Sequence, residues 1–324
     1  MPGAKYLLAL CVATAPLTFC GASQAATITM IAPPDATQSF ASGINDNGDI
    51  AGSFNINLQS QSFVRAADGT YTTFTPSLAS GLNNKGWVIG DVPPGQGFIR
   101  KPKGRILTFG DANAYHNFVA AGINAQRTVC GSLIDAQGTQ HAFVRTADGT
   151  FTVFDPPGST STFATDINDS GLVVGAYDSG MRSHGFIRGA DGAITTFDDP
   201  DAHDIVPFSI NRSGVIVGEI GEYGSVVVFI RSAAGKFKRF DLPGSDVDQL
   251  DWVGINDNGM IAGSYDHDSG ETASGFIRAR DGTVTTFDLP DAYFTYVTGI
   301  NRQGAVVGFI DGTDGYYHGY LRTP

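Results

Sequence analysis

The feature that most narrows the possible folds is a repeat. The stretch Gly254-Ile255-Asn256-Asp257-Asn258-Gly259-Met260-Ile261-Ala262-Gly263-Ser264-Tyr265 recurs in variant form along nearly the whole chain. Aligning the Asn after its Ile or Leu gives Asn45, Asn83, Asn124, Asn168, Asn211, Asn256 and Asn301, separated by 38, 41, 44, 43, 45 and 45 residues. A regular period of this length means stacked or radially arranged copies of one supersecondary unit.

Each copy reads as two hairpins. In the clearest one, a strand ending Asp166-Ile167-Asn168 turns at Asp169-Ser170-Gly171 into Leu172-Val173-Val174-Gly175-Ala176-Tyr177. A second pair follows, His184-Gly185-Phe186-Ile187-Arg188 and Ala193-Ile194-Thr195-Thr196-Phe197-Asp198, joined at Ala190-Asp191-Gly192. Asn or Asp near Gly tolerates the positive φ that tight turns demand. Four short strands per period, repeated seven times, predict an all-β fold: one seven-bladed β-propeller of four-stranded antiparallel blades. We label the strands of a blade a to d from the centre outward.

The chain ends support this. Thr27-Ile28-Thr29-Met30-Ile31 resembles a strand d, whereas the seventh unit stops after strand c, His318-Gly319-Tyr320-Leu321-Arg322. The N-terminal strand is therefore expected to complete the last blade and close the ring, removing two open edges.

Residues 1–25 read as a signal peptide: Lys5, an apolar run from Tyr6 to Leu17, then small residues ending Ser23-Gln24-Ala25. Leu17-Thr18-Phe19-Cys20 is a poor lipoprotein site because Phe19 is bulky. The propeller then spans 26–324, and the destination is the periplasm or the exterior. The mature chain keeps Cys130 alone and has 19 basic against 32 acidic residues, a net charge of −13. Such a balance disfavours nucleic acid, whose binding rests on Lys and Arg neutralising phosphates. No later apolar run reaches the ~20 residues of a membrane-spanning helix.

The repeated positions read as framework. Strand b has Gly in every copy, facing the aromatics of strands c and d. Arg65, Arg100, Arg145, Arg188, Arg231, Arg278 and Arg322 recur after the strand c ring, beside Asp68, Asp148, Asp191 and Asp281 as acceptors. His141, His184 and His318 also share one position, and Cys130 stands where other copies have small hydrophobes. The motif His141-Ala142-Phe143-Val144-Arg145, with His184-Gly185-Phe186-Ile187-Arg188 and the Gly-Ile-Asn-Asp-x-Gly turns, resembles the HAF-type extracellular repeat of secreted bacterial proteins. The resemblance covers residues 27–324 and implies an exported, propeller-like repeat protein; it brings no activity or site residues with it. Only one copy is literally His-Ala-Phe.

Residues that break the repeat are the informative ones, because loops carry function on a rigid scaffold. They gather in the d–a and b–c connections, expected on one face: Tyr115, His116, His203, Asp204, Asp251, Trp252, Asp291, Tyr293 and Tyr296 in the former, Glu219, His267 and Tyr316 in the latter. Acids with aromatics suit a sugar, whose rings stack and whose hydroxyls meet carboxylates. Tyr115, His116, His203, Asp204, Asp251, Trp252, His267, Tyr293, Tyr296 and Tyr316 are thus the candidate ligand-binding set. The expected function is a non-catalytic recognition propeller for carbohydrate or a partner protein, with the chain as a monomer.

Two alternatives remain open. An extracellular polysaccharide hydrolase or lyase would draw general acid and base from His203, Asp204, Asp251 and Asp291. A structural envelope scaffold would need no small ligand. For metals, Asp266, Asp268, Asp311 and Asp314 are weak calcium candidates; neither loop reproduces the calcium-hand pattern. No phosphate-binding Gly loop, Gly-x-Ser-x-Gly elbow or zinc spacing occurs.

Overall fold

The computed structural model describes residues 26–75, 78–93, 95–110, 115–222, 225–244, 249–267 and 271–324. The signal peptide expected at 1–25 and Asp268 lie outside them. Among the described residues every regular element is a strand, and no helix is long and apolar enough to cross a membrane.

In chain order the strands are β1 (Thr27–Ile31); β2 (Gln38–Ile44), β3 (Ile50–Ile56), β4 (Gln59–Arg65), β5 (Tyr71–Phe74); β6 (Ala79–Leu82), β7 (Val88–Val92), β8 (Gln96–Arg100), β9 (Ile106–Phe109); and β10 (Tyr115–Ile123), β11 (Val129–Asp135), β12 (Gln140–Arg145), β13 (Phe151–Phe154). They continue as β14 (Ser161–Ile167), β15 (Val173–Ser179), β16 (Arg182–Arg188), β17 (Ile194–Phe197); β18 (Asp204–Ile210), β19 (Ile216–Glu222), β20 (Ser225–Arg231), β21 (Phe237–Phe240); β22 (Gln249–Ile255), β23 (Ile261–His267), β24 (Thr272–Arg278), β25 (Val284–Phe287); and β26 (Ala292–Ile300), β27 (Val306–Gly312), β28 (Tyr317–Thr323). The first five internal groups each form a four-stranded antiparallel meander. The sixth joins β26–β28 and β1 in an eight-stranded sheet, through one parallel bridge between Ala273 and Phe294.

The first and last strands meet directly. β1 pairs antiparallel with β28 from Thr27↔Thr323 to Ile31↔Gly319. Gly319 N donates to Ser39 Oγ at 2.9 Å, and Ser39 Oγ donates to the Ile31 carbonyl at 2.7 Å. Thr298 Oγ1 donates to the Ala41 carbonyl at 2.6 Å.

The repeated Asn explains the inner turns. In the turn at Asn256, the side-chain Oδ1 accepts from Asn258 N at 3.0 Å and Met260 N at 2.9 Å, which pins the loop while Gly259 takes φ 78°. The amide Nδ2 then reaches sideways to the Asn301 carbonyl at 2.8 Å. Every copy does the same: Asn45 to Asn83, Asn83 to Asn124, Asn124 to Asn168, Asn168 to Asn211, Asn211 to Asn256, and Asn301 back to Asn45. All seven Asn are buried. This hydrogen-bond circuit runs through all the repeats and returns to its start.

Between units, rings and guanidinium groups interlock. The strand c rings Phe63, Phe98, Phe143, Phe186, Phe229, Phe276 and Tyr320 have no solvent exposure. They pack against the strand b Gly: a Cβ on Gly263 would fall 2.4 Å from the Trp252 carbonyl and 2.7 Å from the Phe276 ring. The strand c Arg do not use the turn Asp in the way their spacing suggests. Arg100, Arg145, Arg188, Arg231, Arg278 and Arg322 each lie over the strand d Phe of the preceding unit, 4.5–5.1 Å from its centroid. The turn carboxylates instead accept backbone N–H groups two residues on, as Asp68 does from Thr70 and Asp148 from Thr150. The Arg are framework, held by stacking across units.

Candidate functional site

The inner strands surround a cavity of about 900 Å³. At the Asn-turn end polar groups line it: Arg212 lies 3.1 Å from Asp169 and 3.6 Å from Asp257, and the backbone N of Arg302 donates to Asp46 Oδ1 at 2.8 Å. Further along, Phe40, Trp252 and Phe309 line it, together with Asp91 and Asp166.

Near the opposite end, the last three units assemble an aromatic and acidic patch. β22 is irregular here: its register shifts between Leu250 and Trp252, so Asp251 is an extra residue in the strand. In five of the other units the shift comes instead after the residue four before the repeated Asn, as between Ala41 and Gly43, Pro207 and Ser209, or Val297 and Gly299. The Trp252 ring crosses the Cα of Gly254, where a Cβ would sit 2.1 Å from it; only Gly fits beneath that indole. Tyr296 in β26 stacks parallel to Phe294 at 5.8 Å and meets Phe309 at 4.9 Å, and Phe309 meets Phe40 at 5.2 Å.

The acids beside these rings are unusual. Burial, reinforced by Asp266 and offset by a Ser264 hydrogen bond, pushes Asp251 up to about 6, and its Oδ2 is buried without a hydrogen-bond partner. Burial pushes Glu219 up to about 7 as well, against a Leu250 N–H and with Asp251 adding repulsion; its Oε2 is likewise unpartnered. Tyr296 is pushed up to about 12 by burial and by the charges of Asp251 and Asp266. Glu219, Asp251 and Asp266 thus come from adjacent units into one electrostatically coupled group, next to Tyr296.

The other sequence candidates fall elsewhere. His203 and Asp204 pair at 2.9 Å, both about half exposed. Asp204 also accepts Ser183 N at 2.8 Å, and Arg182 clamps the carbonyls of Ala202 and His203. Burial would raise the Asp204 carboxyl, but these hydrogen bonds outweigh it and hold it below its usual range. That makes Asp204 a fixed acceptor. Asp291 is exposed, with φ 60° in the turn before β26, and among the described residues no hydrogen bond or ion pair joins it to Asp204 or Asp251. Tyr293 and Tyr316 are exposed. His267 is occupied within its own hairpin by Ser274 at 2.8 Å and Thr272 at 3.0 Å. Tyr115 and His116 open β10, and their side chains lie outside the described part.

For metals, Asp314 is engaged by His318 Nε2 at 2.9 Å, and Asp311 sits in β27 beside Tyr296. Among the described residues no three His, Cys, Asp or Glu side chains converge as a metal-holding group. The Asp266 and Asp268 pairing falls partly outside them. The repeated His are framework: His141 lies 2.7 Å from Asp155, and His184 2.7 Å from Asp198. Cys130 is fully buried, and burial, with Asp166 nearby, raises its thiol further from ionisation.

Two acids come forward that sequence reasoning did not assign. Glu219 reads as a b–c loop residue, yet it lies inside β19. Asp91 escaped notice altogether. Both follow the strand b Gly directly, where Ser53, Ser132, Ala176, Ser264 and Phe309 stand in the other copies. Reading that column of the repeat down the chain would have exposed them.

These strands and their arrangement define a β-propeller. Virginiamycin B lyase from Staphylococcus aureus, solved as a catalytically inactive variant with quinupristin, is similar at TM-score 0.63 and 11% identity, over 92% of this chain and 100% of that one. The β-propeller domain of the trilobed protease from Pyrococcus furiosus, described as having an open velcro topology, is similar at TM-score 0.60 and 9% identity, over 89% and 94%. Puromycin hydrolase is similar at TM-score 0.60 and 12% identity, over 84% of this chain and 50% of that one. At such identities the likeness speaks for the fold alone. No family model and no curated protein sequence matches the chain.

Proposed function

We propose that this chain is an exported, monomeric, seven-bladed propeller of the HAF-repeat type, closed by its N-terminal strand, that acts as a non-catalytic recognition module for carbohydrate. The seven-blade reading rests on the period of the repeat and on the Asn circuit that returns from Asn301 to Asn45. Export rests on the character of residues 1–25 and on the repeat resemblance. The observation that carries the ligand reading is the patch where Trp252, Tyr296 and Phe309 stand beside Asp251 and Asp266. Rings of this kind stack on sugar faces, and the carboxylates accept hydroxyl donors.

A second reading has one observation in its favour. Glu219 and Asp251 are coupled carboxyls held near 7 and 6, values at which one can bear a proton while the other is ionised. Such a pair could cleave polysaccharide by hydrolysis or elimination. A glycan array together with a reducing-sugar release assay on residues 26–324 separates the two. Binding without release supports the recognition module. Release that Asp251→Asn abolishes overturns it in favour of the enzyme, and a response in neither assay leaves the scaffold role.

A further inference from the structure

The cavity carries a further acid, Asp91, on the second unit and apart from the group of Glu219, Asp251 and Asp266. The second repeat is the shortest, and its inner strands are cut down: β6 has four residues where β2 has seven, and β7 has five where β3 has seven. Among the described residues the strands walling the cavity are therefore shorter at this unit, a notch between longer neighbours. Leu78, at φ 81° and 43% exposed, edges the gap, and Asn55 and Ser60, near the tip of the neighbouring β3–β4 hairpin, line the cavity there.

Asp91 stands in this notch. Its Oδ1 accepts Ala120 N at 2.8 Å, which fixes the carboxylate, and Oδ2 has no hydrogen-bond partner among the described residues. Phe309, Ser53 and Asp91 follow the strand b Gly of successive units, so the small Ser53 separates the carboxylate from the ring of Phe309. Phe309 and Phe40 form an edge-on pair, centroids 5.2 Å apart, and Tyr317 lies 5.1 Å from Phe40. The Arg residues lining the cavity, Arg212 and Arg302, stand at the Asn-turn end, where Arg212 is paired with Asp169 and Asp257. Burial without a compensating cation pushes Asp91 up to about 7, against the pull of the Ala120 N–H.

We propose that this notch binds an organic ammonium ion, Asp91 accepting its N–H donors and the Phe40–Phe309 corner receiving its apolar part. A fixed carboxylate and aromatic rings lining one cavity supply the two groups that recognise such cations, by a charge-assisted hydrogen bond and by attraction to the rings. The site shares Phe309 with the proposed carbohydrate patch but takes its charge from Asp91, which that patch does not use, so Asp91→Asn tests it alone.

The test is calorimetric titration of residues 26–324 at pH 8, where Asp91 is ionised, with benzylammonium and with benzyl alcohol as its uncharged counterpart. Benzylammonium should bind, with the alcohol weaker by about tenfold or more, the difference a charge-assisted hydrogen bond supplies. Asp91→Asn should erase that preference while melting no lower than the parent at pH 8, and Phe309→Leu should weaken benzylammonium by about threefold or more. Absence of binding, equal affinity for the two probes, or a preference that survives Asp91→Asn would overturn the proposal. Binding of a glycan by Asp91→Asn is read separately, and its loss or retention bears on the carbohydrate patch.

Discussion

Glu219 shows what a single side chain costs this fold. Its carboxyl titrates near 7 instead of its ordinary 4.5, because burial and the Asp251 charge disfavour ionisation more than the Leu250 N–H favours it. A raised carboxyl binds its proton more tightly in the folded state, so its stabilising contribution is present below pH 4.5 and is lost as pH rises through 7. At about 1.4 kcal/mol for each pH unit between the two values, the loss is up to ~3 kcal/mol. Glu219→Gln keeps the shape without the charge. It should melt together with the parent near pH 4 and exceed it in stability at pH 8 by up to ~3 kcal/mol, measured by denaturant unfolding at the two pH values. Equal stability at pH 8 would mean that the carboxyl is better solvated than its surroundings suggest. A residue that weakens its own fold at neutral pH is the kind retained for binding or chemistry.

At the scale of one turn, the side chain of the repeated Asn satisfies three backbone groups. Asn211 Oδ1 takes Ser213 N and Val215 N, both at 3.0 Å, and Nδ2 reaches the Asn256 carbonyl at 3.3 Å. Asn211→Ala would leave these groups buried and unsatisfied, at about 1 kcal/mol or more each, so a loss of roughly 3–5 kcal/mol is expected in unfolding experiments. Asn211→Asp should be no better, since it keeps the acceptor but sets a carboxylate against the Asn256 carbonyl. The turn and the strands were legible from sequence because Asn, Asp and Gly at fixed offsets dictate local backbone geometry. What Nδ2 does was not legible: its partner lies 45 residues away and depends on how units sit side by side. The same holds for the Arg series. The period put Arg231 beside its own turn, whereas its partner is Phe197 of the preceding unit, 4.5 Å away.

Across the molecule, the two chain ends are joined by β1, which brings the fully buried Ile31 against β28. Loss of that side chain alone is worth about 2–5 kcal/mol, apart from the exposed edge left on β28. A chain starting at residue 34 should melt about 3–8 °C lower than one starting at residue 26, and a peptide of residues 26–33 added in excess should recover part of the difference. The architecture could be read from the repeat, but the site could be read only in part. Asp251 and Tyr296 stand out as breaks in the pattern and the fold couples them across adjacent units, with Trp252 next to Asp251 in β22. His203 and Asp291 break the pattern equally and go elsewhere, because a departure from a repeat marks difference without marking position. Asp91 and Glu219 were hidden within strands that otherwise keep the pattern. The central claim is that ligand recognition belongs to the non-repeating residues at one end of the channel. The most direct measurement is a crystal structure of residues 26–324 with a glycan selected on the array. Density against Trp252, Tyr296 and the Asp251 carboxylate is the expected result; density on the Asn-turn face or the outer rim would contradict the account.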